Sequence, residues 1–266
     1  MVREPVVAGT FYEKTKEDLI KQILELKKEA PAEKTLAKGI MVPHAGYMYS
    51  GKVAAETFNS VEIPDTVIIL GPNHTGVGVP VSIYGEGAWK TPLGEMQIDK
   101  SLAADIMKKA GITHQDRTAH AREHSIEVML PFLQQINNSI KFVPVCLAEP
   151  SRDELKLLGK ALAEELDDSQ ALIIASSDLT HYESAEIVKE KDKRVIDEIL
   201  KLDPDAMLDA VEKYQISMCG WMPVYVMLLA CKELGASEAS LVRYMTSGDI
   251  TGETEQVVGY GGIIIK

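Results

Sequence analysis

Three apolar runs in this 266-residue chain each end in a loop that carries a histidine. Gly39 to Val42 leads through Pro43 to His44, and Val67 to Leu70 leads through Gly71-Pro72-Asn73 to His74. Leu172 to Ala175 leads through Ser176-Ser177-Asp178 to His181. Imidazole and carboxylate are the groups that hold transition metals and move protons near neutral pH. A single histidine after a strand is ordinarily a hydrogen-bonded loop residue, and Asp178 alone could cap a turn. Recurrence at three strand ends says more. In open α/β sheets the loops at the carboxyl ends of the strands form the crevice where ligands bind. Parallel strands would therefore bring His44, His74, Asp178 and His181 to one edge, giving a shared polar site.

Cys219, in SMCGWMPVYVMLLA, is a fourth candidate. Pro223 suits the first turn of a helix, which places Cys219 just before that helix's N-terminus. Partial positive charge there favours thiolate, the form that binds metal or attacks an electrophile. A buried, inert cysteine is the competing reading, and it is the one adopted for Cys146 and Cys231. His120-Ala-Arg-Glu123-His124 matches the H-x-x-E-H zinc pattern, which needs both histidines one turn apart on a continuous helix. Asp116 to Ala119 reads as a loop, so that motif is set aside. His124 and Glu127 are still expected to approach the shared site from the start of the next helix.

The elements that must position these residues alternate along the chain. Strand-like runs occupy 40–42, 66–70, 80–84, 140–145, 171–176, 240–245 and the C-terminal GGIIIK. Amphipathic helical patterns lie near 51–60, 101–110, 124–136, 152–166, 185–201 and 222–234, and an earlier helix follows Thr15-x-x-Asp18, a variant capping box. Trp89 to Gly94 reads as a turn within a β excursion. Alternation of this kind predicts an α/β sandwich with a largely parallel or mixed central sheet flanked by helices. No linker, charge break or fixed-period repeat divides the chain, so residues 1–266 are expected to form a single domain.

Composition narrows the classes further. The formal net charge of −12 argues against a nucleic-acid partner, with 45% hydrophobic and 26% charged residues, ordinary values for a globular protein. No apolar run reaches membrane-spanning length, and the N-terminal MVREPVVAGTFYEK lacks the apolar stretch of a signal peptide. Three cysteines without disulfide-like spacing fit a reducing compartment, so a cytoplasmic location away from the membrane is expected.

PHAGYMYSG, GPNHTG, EHSIEVMLPFL, SSDLTHY and MCGW, in that order, closely resemble the Memo family, whose archaeal and bacterial members are the Memo-like or AmmeMemoRadiSam-system B proteins. The likeness runs from VVAGTFY to GYGGIII. It implies a domain similar in fold to class III extradiol dioxygenases, which hold Fe(II) with two histidines and a carboxylate and leave positions open for a catechol-type substrate and oxygen. By the same resemblance His44 and His74 are the histidine ligands, and Cys219 takes the place of the carboxylate. Asp178 and His181 line the pocket, His181 as an acid/base or fourth ligand and Asp178 orienting it or a neighbouring ligand. Tyr47, Tyr182 and Trp221 supply aromatic walls, and Asn73, His124 and Glu127 stand in or behind the pocket.

A thiolate in the ligand set suits copper or zinc at least as well as Fe(II). The resemblance implies iron and copper binding with redox activity, and for animal members phosphotyrosine-peptide binding. Ring cleavage does not transfer with the fold. Three function classes follow: a metal-dependent redox protein using Fe(II) or copper, with zinc as a further fit; a non-enzymatic module for a phosphopeptide or other anion; and a hydrolase with Cys219 as nucleophile, His181 or His74 as base and Asp178 as orienter. The ligand, small molecule or peptide, and the oligomeric state stay open.

Overall fold

The computed structural model describes residues 1–27, 34–167 and 171–266. The N-terminal segment holds β1 (Val2–Arg3) and α1 (Lys16–Leu26), whose first turn is closed by the Thr15 side chain accepting the Asp18 N–H at 3.2 Å. Next come β2 (Gly39–Val42), α2 (Tyr47–Asn59) and β3 (Thr66–Pro72). A β excursion follows with β4 (Val81–Ile83), β5 (Ala88–Thr91) and β6 (Gly94–Gln97), then α3 (Lys100–Ala110) and β7 (His114–Gln115). A 3-10 turn at Glu127–Met129 runs into α4 (Leu130–Ile136), before β8 (Lys141–Leu147), α5 (Arg152–Leu166), β9 (Leu172–Ser176) and β10 (His181–Glu183). The last third holds α6 (Ala185–Leu200), α7 (Pro204–Lys213), α8 (Trp221–Glu233), β11 (Ala239–Thr246), α9 (Gly248–Thr251) and β12 (Val257–Ile265).

Among the described residues nine strands form one mixed sheet in the order β10-β12-β2-β9-β3-β8-β4-β7, with β11 also on β12. Its centre, β2-β9-β3-β8, is parallel throughout. β12 joins antiparallel to β2, and β4 antiparallel to β8. A small second sheet, β1-β5-β6, is built from the N-terminus and the hairpin expected around Trp89–Gly94.

Strands buried on both faces read as continuous apolar runs, and period two then sorts their side chains to opposite sides. Ile40, Val42, Val67, Ile69, Leu172 and Ile174 join one core with Leu19, Phe58 and Phe132. Met41, Ile68, Leu70, Ile173 and Ala175 join the other with Leu158, Val195 and Tyr225. Helix α8 is apolar around its whole circumference because it is packed inside this second layer, with Val224 to Leu228 fully buried. No helix is long and apolar enough to cross a membrane among the described residues.

Two boundaries differ from the sequence expectation for identifiable reasons. The helix expected from 124 begins only at the 127–129 turn, because the Glu123 carboxylate takes the N–H groups of His124 and Ser125 and holds them as a loop. Helix α7 went unread: Asp203 caps it by accepting the Ala206 N–H at 3.0 Å and Pro204 occupies its first turn, a start signal hidden by the short loop from α6.

Candidate functional site

The carboxyl ends of β2, β3 and β9 lie side by side, so the three histidine-bearing loops open on one face of the sheet. They border a cavity of about 640 Å³ lined by His44, His74, His124, Asp178 and His181, among others. His44 is buried, and its ring lies 5.1 Å from His74 and 5.5 Å from His124, centroid to centroid. His74 and His124 stack at 4.7 Å.

The hydrogen-bond network assigns the histidine tautomers. Ser176 Oγ has one proton and donates it to the Ser125 carbonyl at 2.7 Å. At 2.8 Å from His44 Nδ1 it can then only accept, so Nδ1 carries the proton and Nε2 presents a lone pair. That Nε2 stands 3.2 Å from Cys219 Sγ. His74 obeys the same logic: its Nδ1 donates to Glu123 Oε1 at 2.9 Å and its backbone N–H donates to Oε2 at 2.6 Å. His181 Nδ1 donates to the Ser217 carbonyl at 2.8 Å. All three rings thus have Nδ1 committed as donor and Nε2 left with its lone pair, that of His44 directed at Cys219, the arrangement that metal-binding imidazoles use.

Cys219 reaches the site because Gly220 follows it. A Cβ at Gly220 would overlap the Ser176 carbonyl and the Ser177 side chain, so only glycine lets this loop close against the end of β9. The Gly220 N–H donates to Ser177 Oγ at 3.1 Å, and Cys219 Sγ accepts the Asp178 N–H at 3.3 Å. Contrary to the sequence expectation of a thiolate, burial pushes the Cys219 thiol well up, with the Asp178 charge adding to it.

One atom from each of His44, His74 and Cys219 lies within 4.8 Å of the others. Bonds of about 2.0–2.3 Å from nitrogen and sulfur to a common ion require donors of that order apart, so these residues fit a first-row transition metal. His74, Glu123 and His124 also come within that distance of one another, but Glu123 has its lone pairs engaged. Its Oε1 accepts from His74 Nδ1, His124 N and Ser125 N, and its Oε2 from His74 N. Burial alone would raise the Glu123 pKa; the His74 hydrogen bond, backed by the Ser125 N–H and the His124 charge, prevails and holds it at about 2. Glu123 is an ionised carboxylate that orients His74, a part the sequence showed only inside the discarded H-x-x-E-H match. His120, the other end of that match, lies in a turn, buried against Tyr84 and Trp89.

Asp178 sits behind His44. Its Oδ1 accepts the N–H groups of His44 at 2.8 Å and Ala45 at 3.3 Å. Burial raises its pKa to about 6 against these hydrogen bonds. Burial also lowers the pKa of His44, assisted by the neighbouring His74, His124 and His181, so its lone pair is available at neutral pH.

Four residues expected in or around the cavity are elsewhere. Tyr47 is buried in the core and donates from its hydroxyl to the Val128 carbonyl at 2.7 Å; Tyr49, two residues on in α2, lines the cavity instead. The Asn73 side chain holds its own exposed turn, accepting from Thr75 N and Gly76 N and donating to the Val77 carbonyl. Glu127 faces away and anchors the N-terminal segment through Arg3, Tyr12, Val6 N and Val7 N. Trp221, the first residue of α8, packs against the core. Tyr182 does line the cavity, and His124 contributes its ring with Phe11 packed on it at 4.7 Å. Phe11, Ser247, Thr251, Glu253, Gln256, Val258 and Tyr260 complete the wall from segments without strand-end signals.

Asp192, on α6, holds the loop carrying Asp178 and His181 from behind. It accepts the Thr180 N–H at 2.9 Å and the Tyr244 hydroxyl at 2.8 Å, in a space kept open by Gly259. Burial raises it to about 6 from the ordinary aspartate value of 3.8. A carboxyl whose folded pKa exceeds its unfolded one favours folding most below about pH 4, and that contribution is lost as pH rises through about 6. Chemical denaturation should therefore show Asp192→Asn gaining about 2 kcal/mol on the wild type between pH 4 and pH 7, at 1.36 kcal/mol per unit. Parallel stability curves for the two proteins would show that Asp192 carries no such shift.

Fold and site together define a class: a mixed α/β protein with a histidine-lined pocket at the carboxyl ends of its central parallel strands and a cysteine beside its innermost histidine. The particular family follows from comparison with known proteins. Residues 3–264 match the model of the Memo-like protein family. The chain is 44% identical to a MEMO1 family protein of Methanopyrus kandleri, covering 100% of this chain and 99% of the relative. It is also 44% identical to one of Aquifex aeolicus, covering 99% and 98%. The chain belongs to the Memo-like family. In fold it is similar to an uncharacterised protein of Escherichia coli K12, with a TM-score of 0.56 over 85% of this chain and 98% of that one, at 13% identity.

Proposed function

We propose that this chain is a metal-binding redox protein that holds Fe(II) or copper, with zinc as a further fit, through His44, His74 and Cys219. One observation carries the reading. His44 and His74 each commit Nδ1 to an acceptor, leaving Nε2 unprotonated, and the three ligand atoms stand within 4.8 Å of one another. A bound ion would supply Lewis acidity and electron transfer to a ligand at an open position. The chain's own groups would do the rest: His181, with Nε2 free, moves a proton, and Asp178 fixes the backbone of His44 and Ala45.

Metal content after anaerobic purification without tag or chelator tests this directly, with about one equivalent of iron or copper per chain expected. A chain that arrives empty and refuses Fe(II), Cu(I) and Zn(II) on reconstitution would end the metal reading. Cys219→Ser replaces a soft donor with a hard one and should shift preference from copper toward Fe(II) by at least about tenfold. Unchanged selectivity in competition titrations would remove the sulfur from the ligand set.

The 3.2 Å Cys219–His44 contact supports a second reading, thiol chemistry without metal. Burial raises the thiol pKa, which works against it. Chelation separates the two, since a thiol hydrolase survives chelator and dies on alkylation.

A further inference from the structure

Charge is distributed unevenly around the cavity. Among the described residues lining it there is no lysine or arginine; the protonatable groups are the imidazoles of His44, His74, His124 and His181, and two carboxylates are present, Asp178 at the inner end and Glu253 on the 251–256 segment. Glu253 is held in place by the N–H groups of Thr254 at 2.8 Å and Glu255 at 2.7 Å, and those hydrogen bonds lower its pKa. The outer wall is aromatic, with Phe11, Tyr49, Tyr182 and Tyr260. Tyr182 stands at the mouth, 72% exposed, on a backbone with φ 58°, a conformation that a bulky side chain seldom adopts. The 251–256 segment reaches the same place, because the Ala185 N–H donates to the Thr254 carbonyl at 2.9 Å.

Phosphate and carboxylate recognition relies on arginine, lysine or clustered backbone N–H donors. Aromatic rings that line one cavity with a carboxylate suit the opposite ligand, since tyrosine faces attract cations and planar groups alike. At about 640 Å³ the cavity has room for a compound of one or two rings.

We propose that the outer half of this cavity selects an aromatic ligand with an ammonium-type cation, the ring between Phe11 and the tyrosines and the cation at Glu253, and that it rejects anions. The inference rests on the pocket of the proposed function but not on a metal in it. It assigns a ligand class, aryl-alkylammonium compounds, to the same site.

The test uses the full chain in metal-free form and four probes sharing one ring: 2-phenylethylammonium, 2-phenylethanol, 3-phenylpropionate and phenyl phosphate. Binding is read by ligand-observed NMR and calorimetry. The ammonium should bind tightest, the alcohol next, and the two anions weakest. Glu253→Gln should weaken the ammonium about threefold, the scale of one exposed ion pair, and leave the alcohol unchanged. Tyr182→Ala should weaken both. Tighter binding of either anion, an unaltered ammonium affinity in Glu253→Gln, or no binding of any probe at millimolar concentration would each overturn the assignment. Metal titration of the same sample keeps the readings apart. A chain that binds metal but no ammonium loses only the ligand class, and one that binds the ammonium but no metal loses only the redox reading.

Discussion

His44→Ala and His74→Ala should each lower affinity for Zn(II) or Cu(I) by more than about 100-fold, beyond the 10–100-fold that loss of a supporting hydrogen bond costs. Glu123→Gln should fall within that smaller range, and the reason lies in the network. Glu123 accepts four N–H groups, two of them from His74. An amide replaces one accepting oxygen with a donor, so at least one N–H meets another N–H: at the Oε1 position the His74 ring loses its acceptor, and at the Oε2 position the backbone N–H of His74 does. Calorimetric titration, with circular dichroism to confirm folding, reads both effects. Tight stoichiometric binding by the His44/His74 double mutant would place the ligands elsewhere, and wild-type affinity in Glu123→Gln would show that His74 needs no orienting partner.

The largest stability effect is expected at Glu127, outside the cavity. Glu127 is fully buried and forms an ion pair with Arg3 at 2.7 Å. It also accepts the Tyr12 hydroxyl and the N–H groups of Val6 and Val7. Arg3 in turn donates to the carbonyls of His120 at 2.7 Å and Glu123 at 2.6 Å, and its guanidinium lies 4.0 Å from the Trp89 ring centroid. Breaking one side of a buried pair leaves the other charged and unpaired, at about 3–5 kcal/mol. Glu127→Ala should therefore lose about 3–5 kcal/mol in urea denaturation of the metal-free protein. It should also weaken metal binding, because the same clamp ties the N-terminal segment to the Glu123 loop and seats Phe11 on His124. A loss under about 1 kcal/mol, the scale of an exposed pair, would show that this anchor is dispensable.

Much of this was legible from local pattern. Apolar runs ending in Gly, Pro, Asn and Ser mark buried strands and their turns, and the parallel centre of the sheet carries the loops of His44, His74, Asp178 and His181 to one face. Most helices were legible because they are amphipathic, as the Thr15-capped α1 illustrates, whereas α8 is apolar all round. The inner ring of the site follows from strand ends, and strand ends are written in short stretches of sequence.

What only the tertiary structure decided is how side chains from distant segments divide their hydrogen bonds. Glu127 follows His124 by three residues and was expected beside it, yet the turn between them sends the carboxylate to Arg3, 124 positions away. Glu123 looked like part of a zinc motif and instead orients His74, 49 positions earlier. Tyr47 and Tyr49 are indistinguishable by type, and the rotation of α2 alone puts the first in the core and the second in the cavity. The sequence by itself determined the central strands, most of the helices and which strand ends carry histidines. Tautomers, the raised Cys219 thiol and the outer wall of the cavity depend on burial and on partners far apart in the chain, and local pattern carries no record of either.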